Sequence, residues 1–258
     1  MKHKAQTSAD DSVPSTAIEG WTLHEYREVA STNDVAAELP AWHAVRADSQ
    51  SGGRGRWKRT WISDCGGLWI SAVLPLSGEP RRWEALPLAV GLAVAEVVTG
   101  LGVRGVRLRW PNDLLVGDRK LAGLLVERVR LGLAVVGIGV NVANHPETSD
   151  GSLAGAITRL DDLAKPPPTL NDLSRRLLGV LREIHAEMDS HGFPALLFRI
   201  NALWDLPRRV ELDLGGNSVN GWFEGVDGTG RLALRRAQTV DWFDPAQVVQ
   251  LRDIQASA

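Results

Sequence analysis

Residues 48–61 read Asp-Ser-Gln-Ser-Gly-Gly-Arg-Gly-Arg-Trp-Lys-Arg-Thr-Trp, setting glycine against guanidinium with no acid after Asp48. Such a run is poorly suited to a packed core. Its glycines let the backbone turn and approach a ligand closely. Arg54, Arg56 and Arg59 offer forked donors that match carboxylate and phosphate oxygens. Taken alone, the run reads equally as a solvated basic loop or as an anion site. The segments on either side decide between the two.

Upstream, residues 23–29 are expected to form a strand, followed by Ser31-Thr32-Asn33-Asp34, a helix N-cap signature ahead of Val35-Ala36-Ala37-Glu38-Leu39. Capping is the plain role for Ser31 and Thr32, and it leaves room for ligand contact at a helix N-terminus. Residues 45–47 form a strand entering the loop, and 68–74 have strand composition. Residues 84–99 are apolar throughout, which predicts a buried helix. A strand over 106–110 stops at Pro111-Asn112-Asp113, and 114–116 with 120–128 make a hairpin about Gly117-Asp118. In the apolar strand 133–142, Gly137 and Gly139 open one face to a close approach. After Lys165-Pro166-Pro167-Pro168, residues 170–189 show helical periodicity. Beyond Leu206-Pro207, short strands over 208–214, 220–226 and 231–235, with 240–243 and 248–251, suggest a small β-barrel-like module. Residues 1–20 are polar and read as a disordered tail.

The 258 residues suffice for one large domain, or a large one with a small companion. Hydrophobic residues at 44% and charged ones at 23% fit a soluble globular protein. With 29 basic residues against 31 acidic ones, general nucleic-acid binding is not expected. The single cysteine, Cys65, excludes an intrachain disulfide and a cysteine zinc cluster. No apolar signal core opens the chain, and the apolar runs near 85–98 and 131–142 are too short or too interrupted to span a bilayer. A cytoplasmic protein with no membrane or nucleic-acid partner is expected.

The sequence lacks a P-loop, a Rossmann glycine fingerprint, a zinc-protease motif and a serine-hydrolase elbow. It offers instead the cations Arg54, Arg56, Arg59, Arg109 and Lys120, with a polar Pro-Asn-Asp turn suited to helping hold a divalent cation. That set fits a reaction in which a phosphate-bearing substrate is clamped and developing negative charge is neutralised.

Five motifs, in order, carry a resemblance: Ser31-Thr32-Asn33; Gln50 with Gly53-Arg54-Gly55-Arg56-x-x-Arg59-x-Trp61; Arg109-Trp110-Pro111-Asn112-Asp113; Lys120 through Glu127; and Gly137-Ile138-Gly139-Val140-Asn141-Val142. Together they resemble the motif set of biotin protein ligases, over roughly residues 22–205. The resemblance implies an α+β fold, a mixed β-sheet flanked by helices as in class II aminoacyl-tRNA synthetases, spanning 21–205. A small SH3-like β domain over 206–258 would follow. It also implies ATP and biotin as substrates with Mg²⁺, a biotinyl-5′-AMP intermediate, and a lysine of a biotin carboxyl carrier protein or domain as acceptor. A monomer or weak homodimer is expected.

By the same resemblance, Ser31, Thr32, Asn33 and Gln50 meet the biotin ureido group, and Gly53, Arg54, Gly55 and Arg56 form a loop that closes over the adenylate. Lys120 and Arg56 are the implied catalytic residues, with Lys120 bridging the biotin carboxylate and the α-phosphate. Gly123, Gly137 and Gly139 shape the floor of the biotin slot. Arg56, Arg59, Trp61, Asp113, Lys120 and Asn141 contact the nucleotide, and Asp113 is the Mg²⁺ partner. Plainer roles stand beside these: core packing for Trp61, a solvated hairpin position for Lys120, and a structural ion pair between Arg109 and Asp113.

The sequence departs from the family in places. Arg109 stands where lysine is commoner, Trp57-Lys58 replaces a pair such as Arg-Gly, and Gly52 replaces a frequent alanine. Family members that are also repressors carry about sixty residues of winged helix-turn-helix ahead of the Ser-Thr-Asn motif. Only 30 residues precede Ser31 here, so the repressor form is not expected. A lipoate or octanoate ligase or transferase of the same superfamily is the rival enzyme. A non-catalytic binding module is disfavoured because Arg54, Arg56 and Lys120 are all present.

Overall fold

The computed structural model describes residues 12–146, 156–204 and 206–254. Its main layer is an eight-stranded sheet of β1 (Ser12–Ile18), β2 (Trp21–Val29), β3 (His43–Gln50), β4 (Leu68–Pro75), β5 (Val106–Arg109), β6 (Asp113–Val116), β7 (Arg119–Arg130) and β8 (Leu133–Val140). Their order is β1-β2-β3-β4-β8-β7-β6-β5. β2 and β3 run parallel and the other neighbouring pairs antiparallel. A parallel pair needs a crossover, and the connection between β2 and β3 contains the short helix α1 (Thr32–Ala36). That crossover brings the Ser-Thr-Asn motif onto the sheet beside β4 and β8.

Helix α2 (Leu86–Gly100) has no polar face and is buried on nearly every side. The segment Pro80–Gly100 is long and apolar enough to cross a membrane by length and composition, yet most of it is buried within the fold. The apolar run expected near 85–98 corresponds to the 15-residue α2, and burial explains its composition. Helix α3 (Leu160–Leu163) is a single turn. Helix α4 (Leu170–His191) is amphipathic, turning Leu173, Leu177, Leu181, Ile184 and Met188 inward. Its N-cap Thr169 accepts from the Asp172 amide at 3.1 Å. Helix α5 (Leu197–Asn201) leads towards the second sheet.

That sheet holds β9 (Arg208–Asp213), β10 (Ser218–Val226), β11 (Leu232–Arg236), β12 (Thr239–Phe243) and β13 (Gln250–Asp253), ordered β12-β11-β10-β9-β13 and antiparallel. It stands where the SH3-like module was expected, but it is not closed, since β12 and β13 do not pair among the described residues. One apolar core runs through both sheets, joining Ile70 and Leu92 to Val210, Phe223 and Leu251. Trp110 Nε1 donates across the junction to the Gly230 carbonyl at 3.1 Å. Asp205, at the expected boundary, and residues 255–258 lie outside the described residues.

The expected tail over 1–20 is corrected in its second half. Residues 12–18 form β1, with Thr16 opposite Leu23 and Ile18 opposite Trp21. Residues 1–11 lie outside the described residues. An edge strand needs partners on one side only, so polar composition hid it. The other expected strands and helices appear where the sequence placed them, with ends shifted by up to a few residues, while α3 and α5 were not expected.

Candidate active site

A cleft of about 630 Å³ lies over β7 and β8, walled by α1, the glycine–arginine loop and residues 249–251 of the second sheet. Its two ends differ in chemistry. At the neutral end, Ser31, Thr32 and Asn33 are nearly fully buried at the start of α1. The Thr32 amide donates to Gln50 Oε1 at 2.8 Å, and the Thr32 hydroxyl lies 3.0 Å from the same oxygen. Gln50 Nε2 donates to Ser63 Oγ at 2.8 Å. Ser71 Oγ sits 2.7 Å from Thr32 Oγ1 and 2.6 Å from Asn33 Oδ1, while Asn33 Nδ2 donates to Glu127 at 2.6 Å. Ser31 is the helix N-cap by backbone geometry, but its side chain caps nothing.

Glycines of the floor make this arrangement fit. A Cβ on Gly137 would lie 2.3 Å from Asn33 Oδ1, and one on Gly139 would lie 2.6 Å from Trp61 Nε1. A Cβ on Gly123 would meet the Trp61 ring at 2.8 Å. These three glycines therefore admit side chains of this same protein, which then form the surface of the slot. Trp61 serves as packing on this floor, its ring 6.3 Å from Trp69 in an edge-on arrangement. Its Nε1 is buried without a partner among the described residues.

At the charged end, Asp113 joins two cations. Its Oδ1 lies 2.7 Å from Lys120 Nζ, and its Oδ2 accepts from Arg109 at 2.7 Å. Burial pushes the Asp113 carboxyl up, but Lys120 and Arg109 outweigh it and hold the group below the usual carboxylate range. Lys120 Nζ also sits 4.9 Å from the Trp61 ring centroid. Asn141 is turned to bracing. Its Nδ2 lies 3.4 Å from the Lys120 carbonyl and its Oδ1 accepts from Asn144 at 3.0 Å.

The glycine–arginine loop spans the two ends as a strap. Trp61 N donates to the Gly53 carbonyl at 2.9 Å and Gly55 N to the Arg59 carbonyl at 2.8 Å, closing its base. A Cβ on Gly53 would lie 2.4 Å from the Trp61 carbonyl, so this approach requires glycine. Arg54 binds Asp34 at 2.7 Å and Glu127 at 3.0 Å. Arg56 reaches the second sheet, donating to the carbonyls of Pro245 at 2.5 Å and Val248 at 3.1 Å. Burial lowers the Arg56 pKa, with Arg59 adding to the shift and Asp113 opposing it. Arg59 is exposed at the cleft wall.

The Biotin/lipoate A/B protein ligase family model matches residues 26–142. The Biotin–[acetyl-CoA-carboxylase] ligase of Mycobacterium tuberculosis is 33% identical over 252 residues, covering 90% of this chain and 91% of that protein. The chain belongs to the biotin protein ligase family. The Bifunctional ligase/repressor BirA of Salmonella typhimurium is 36% identical over 220 residues, 81% of this chain and 68% of that one. A biotin protein ligase from Aquifex aeolicus, solved in complex with biotin and ATP, superposes with a TM-score of 0.79 at 26% identity, covering 90% of this chain and 99% of that chain.

In this biotin protein ligase, every residue of the implied site except Gly53 lines one cleft, and Gly53 ties the strap's base beside it. Arg54 and Arg56 bind protein groups, and Arg109 pairs with Asp113, the plainer role weighed for it. Asp113 does not fit a protein-built magnesium site. Both of its oxygens already face cations, and no cluster of three metal-ligating side chains occurs among the described residues.

Sequence reasoning missed Ser63, Ser71, the role of Glu127, and the carbonyls of Pro245 and Val248. Ser71 and Glu127 had a signal, each being polar within an apolar strand. The carbonyls had none, because every residue type carries one.

Proposed function

We propose that this chain is a biotin–[acetyl-CoA-carboxylase] ligase, forming biotinyl-5′-AMP from biotin and ATP and passing biotin to a lysine of the carboxylase's carrier domain. The observation that carries the reading is the position of Lys120. It lines the same continuous cleft as the neutral hydrogen-bonding residues and the cationic strap, paired with Asp113. A cyclic urea has one strong acceptor and two N–H donors, matched by the hydroxyls and amides of Ser31, Thr32, Asn33 and Gln50. The ligand's carboxylate then points at Lys120.

In the first step a carboxylate oxygen attacks the α-phosphorus of ATP and pyrophosphate leaves. Two anions must meet, and the compact ammonium of Lys120 lowers their repulsion where charge builds. Asp113 holds that ammonium in place. Arg56 and Arg59 are placed to exchange their present partners or solvent for phosphate oxygens. In the second step the lysine amine attacks the anhydride carbonyl, the bond to AMP breaks, the amine loses a proton and AMP departs. Magnesium is assigned to the phosphates of ATP, and no step is routed through it. We infer a cytoplasmic enzyme, a monomer or weak homodimer, that works without nucleic acid or membrane. The net charge of -2 supports the absence of a nucleic-acid partner.

The test is pyrophosphate release by the purified protein with Mg-ATP and biotin, lipoate, octanoate or no acid. Release with biotin alone, followed by labelling of a carrier-domain lysine, is expected. Release with lipoate or octanoate instead would move the protein to the rival ligase, and no release with any acid would leave a binding module.

A further inference from the structure

Trp57 and Lys58 form the tip of the strap and depart from the Arg-Gly-like pair that the family resemblance leads one to expect. Both are exposed, Trp57 at 54%. Both hold left-handed backbone, with φ of 57° and 58°, a conformation costing about 1–2 kcal/mol for a residue with a Cβ. Beneath them Arg56 is pinned to the Pro245 and Val248 carbonyls, and its guanidinium lies 5.8 Å from the Trp57 ring centroid. The indole is thus exposed on a strap that also walls the cleft. The cations Lys58 and Arg59 flank it, and the chain carries no acid between Asp48 and Asp64.

We propose that this tip is a docking element for the acceptor protein, fitting a carrier domain whose lysine-bearing turn displays carboxylates beside an apolar residue. The inference rests on the ligase reading, because the second step must bring a lysine of a folded domain to the mouth of the cleft. Charge complementarity selects the occupant. A cationic strap tip without acids of its own repels a basic surface and steers an acidic one. An exposed tryptophan is the kind of anchor that carries binding energy at an interface. A small amine needs neither feature.

The experiment uses the full chain and the apo carrier domain of a biotin-dependent acetyl-CoA carboxylase. Three rates are compared in wild type, Trp57→Ala and Lys58→Glu: biotin-dependent pyrophosphate–ATP exchange, transfer from biotinyl-AMP to hydroxylamine, and transfer to the carrier. Lys58→Glu, which lies outside the cleft lining, is expected to raise the carrier KM roughly tenfold, as a lost interface contact would, with exchange and hydroxylamine transfer unchanged, and Trp57→Ala is expected to raise the carrier KM by more than it lowers those two rates. Trp57→Phe should recover most of the loss. Added salt should raise the carrier KM less steeply in Lys58→Glu than in wild type. An unchanged carrier KM in both variants, or an equal fall in all three rates, overturns the docking role. Wild-type exchange that does not depend on biotin overturns the ligase reading beneath it.

Discussion

The two ends of the cleft are built on opposite principles. At the neutral end, Thr32, Asn33, Gln50, Ser63 and Ser71 bind one another in a chain of short hydrogen bonds. At the charged end the cations are held by other partners: Arg54 by Asp34 and Glu127, Arg56 by two carbonyls, and Lys120 by Asp113. A neutral recognition group can be fixed in advance at little electrostatic cost. A cluster of cations must be neutralised until an anion arrives. The neutral end is therefore preorganised, and the charged end changes partners.

Four experiments test that contrast. The largest effect is expected for Lys120→Ala, which should lower biotin-dependent pyrophosphate exchange by ~10²–10³ or more, the scale for losing a charge-stabilising group. Circular dichroism should remain that of the folded protein. Full activity would remove Lys120 from the mechanism, and Lys120→Arg should not restore the rate, since a fork does not replace a point charge.

Next come the floor glycines. Gly137→Ala would push Asn33 aside and should weaken biotin binding by roughly tenfold or more, the cost of an unpaired buried polar group. ATP affinity should hold. Gly139→Ala would instead displace Trp61, over which Lys120 sits, and should lower kcat as well as affinity. Calorimetry and exchange kinetics separate the two, and identical profiles would count against two distinct ends.

The strap gives a smaller effect. Trypsin should cut slowly after Lys58 and Arg59, and faster by roughly fivefold in Arg56→Ala, where two hydrogen bonds of ~0.5 kcal/mol each are lost. Biotin with ATP should protect both proteins. Equal cutting in wild type and variant would show that Arg56 does not anchor the loop.

The smallest effect lies away from the cleft and serves as a control. His185 stacks on Trp83, and its pKa is lowered chiefly by burial, with Arg182 adding to the shift against the Pro75 carbonyl and Asp189. A depressed pKa means that its contribution to stability is present above the ordinary histidine value of about 6.5. That contribution is lost as pH falls through the lower folded value. Tm should drop on acidification from pH 7 to 5, and less steeply in His185→Gln, with biotin affinity at pH 7.5 unmoved. An unchanged slope would refute the assignment.

Much of the fold was legible because its signals are local. Apolar runs set α2 and β4, periodicity set α4, and Gly117-Asp118 set the β6–β7 hairpin. β1 was missed because polar residues serve well enough in a strand at the edge of a sheet. The second sheet is consistent with the expected barrel-like module, though it stays open, because closure depends on whether β12 meets β13, which no turn residue encodes.

Of the candidate site, the sequence by itself determined which chemistry was available: cations without a nucleophile, a glycine floor, and a polar quartet at a helix start. These are properties of side chains and spacing. The pairings came from the way the chain folds back on itself. It gave Asp113 to Lys120 and Arg109, filled the glycine floor with Asn33 and Trp61, and tied Arg56 to carbonyls nearly two hundred residues away. A charge states what a residue can bind, but its partner depends on which strands the topology makes neighbours.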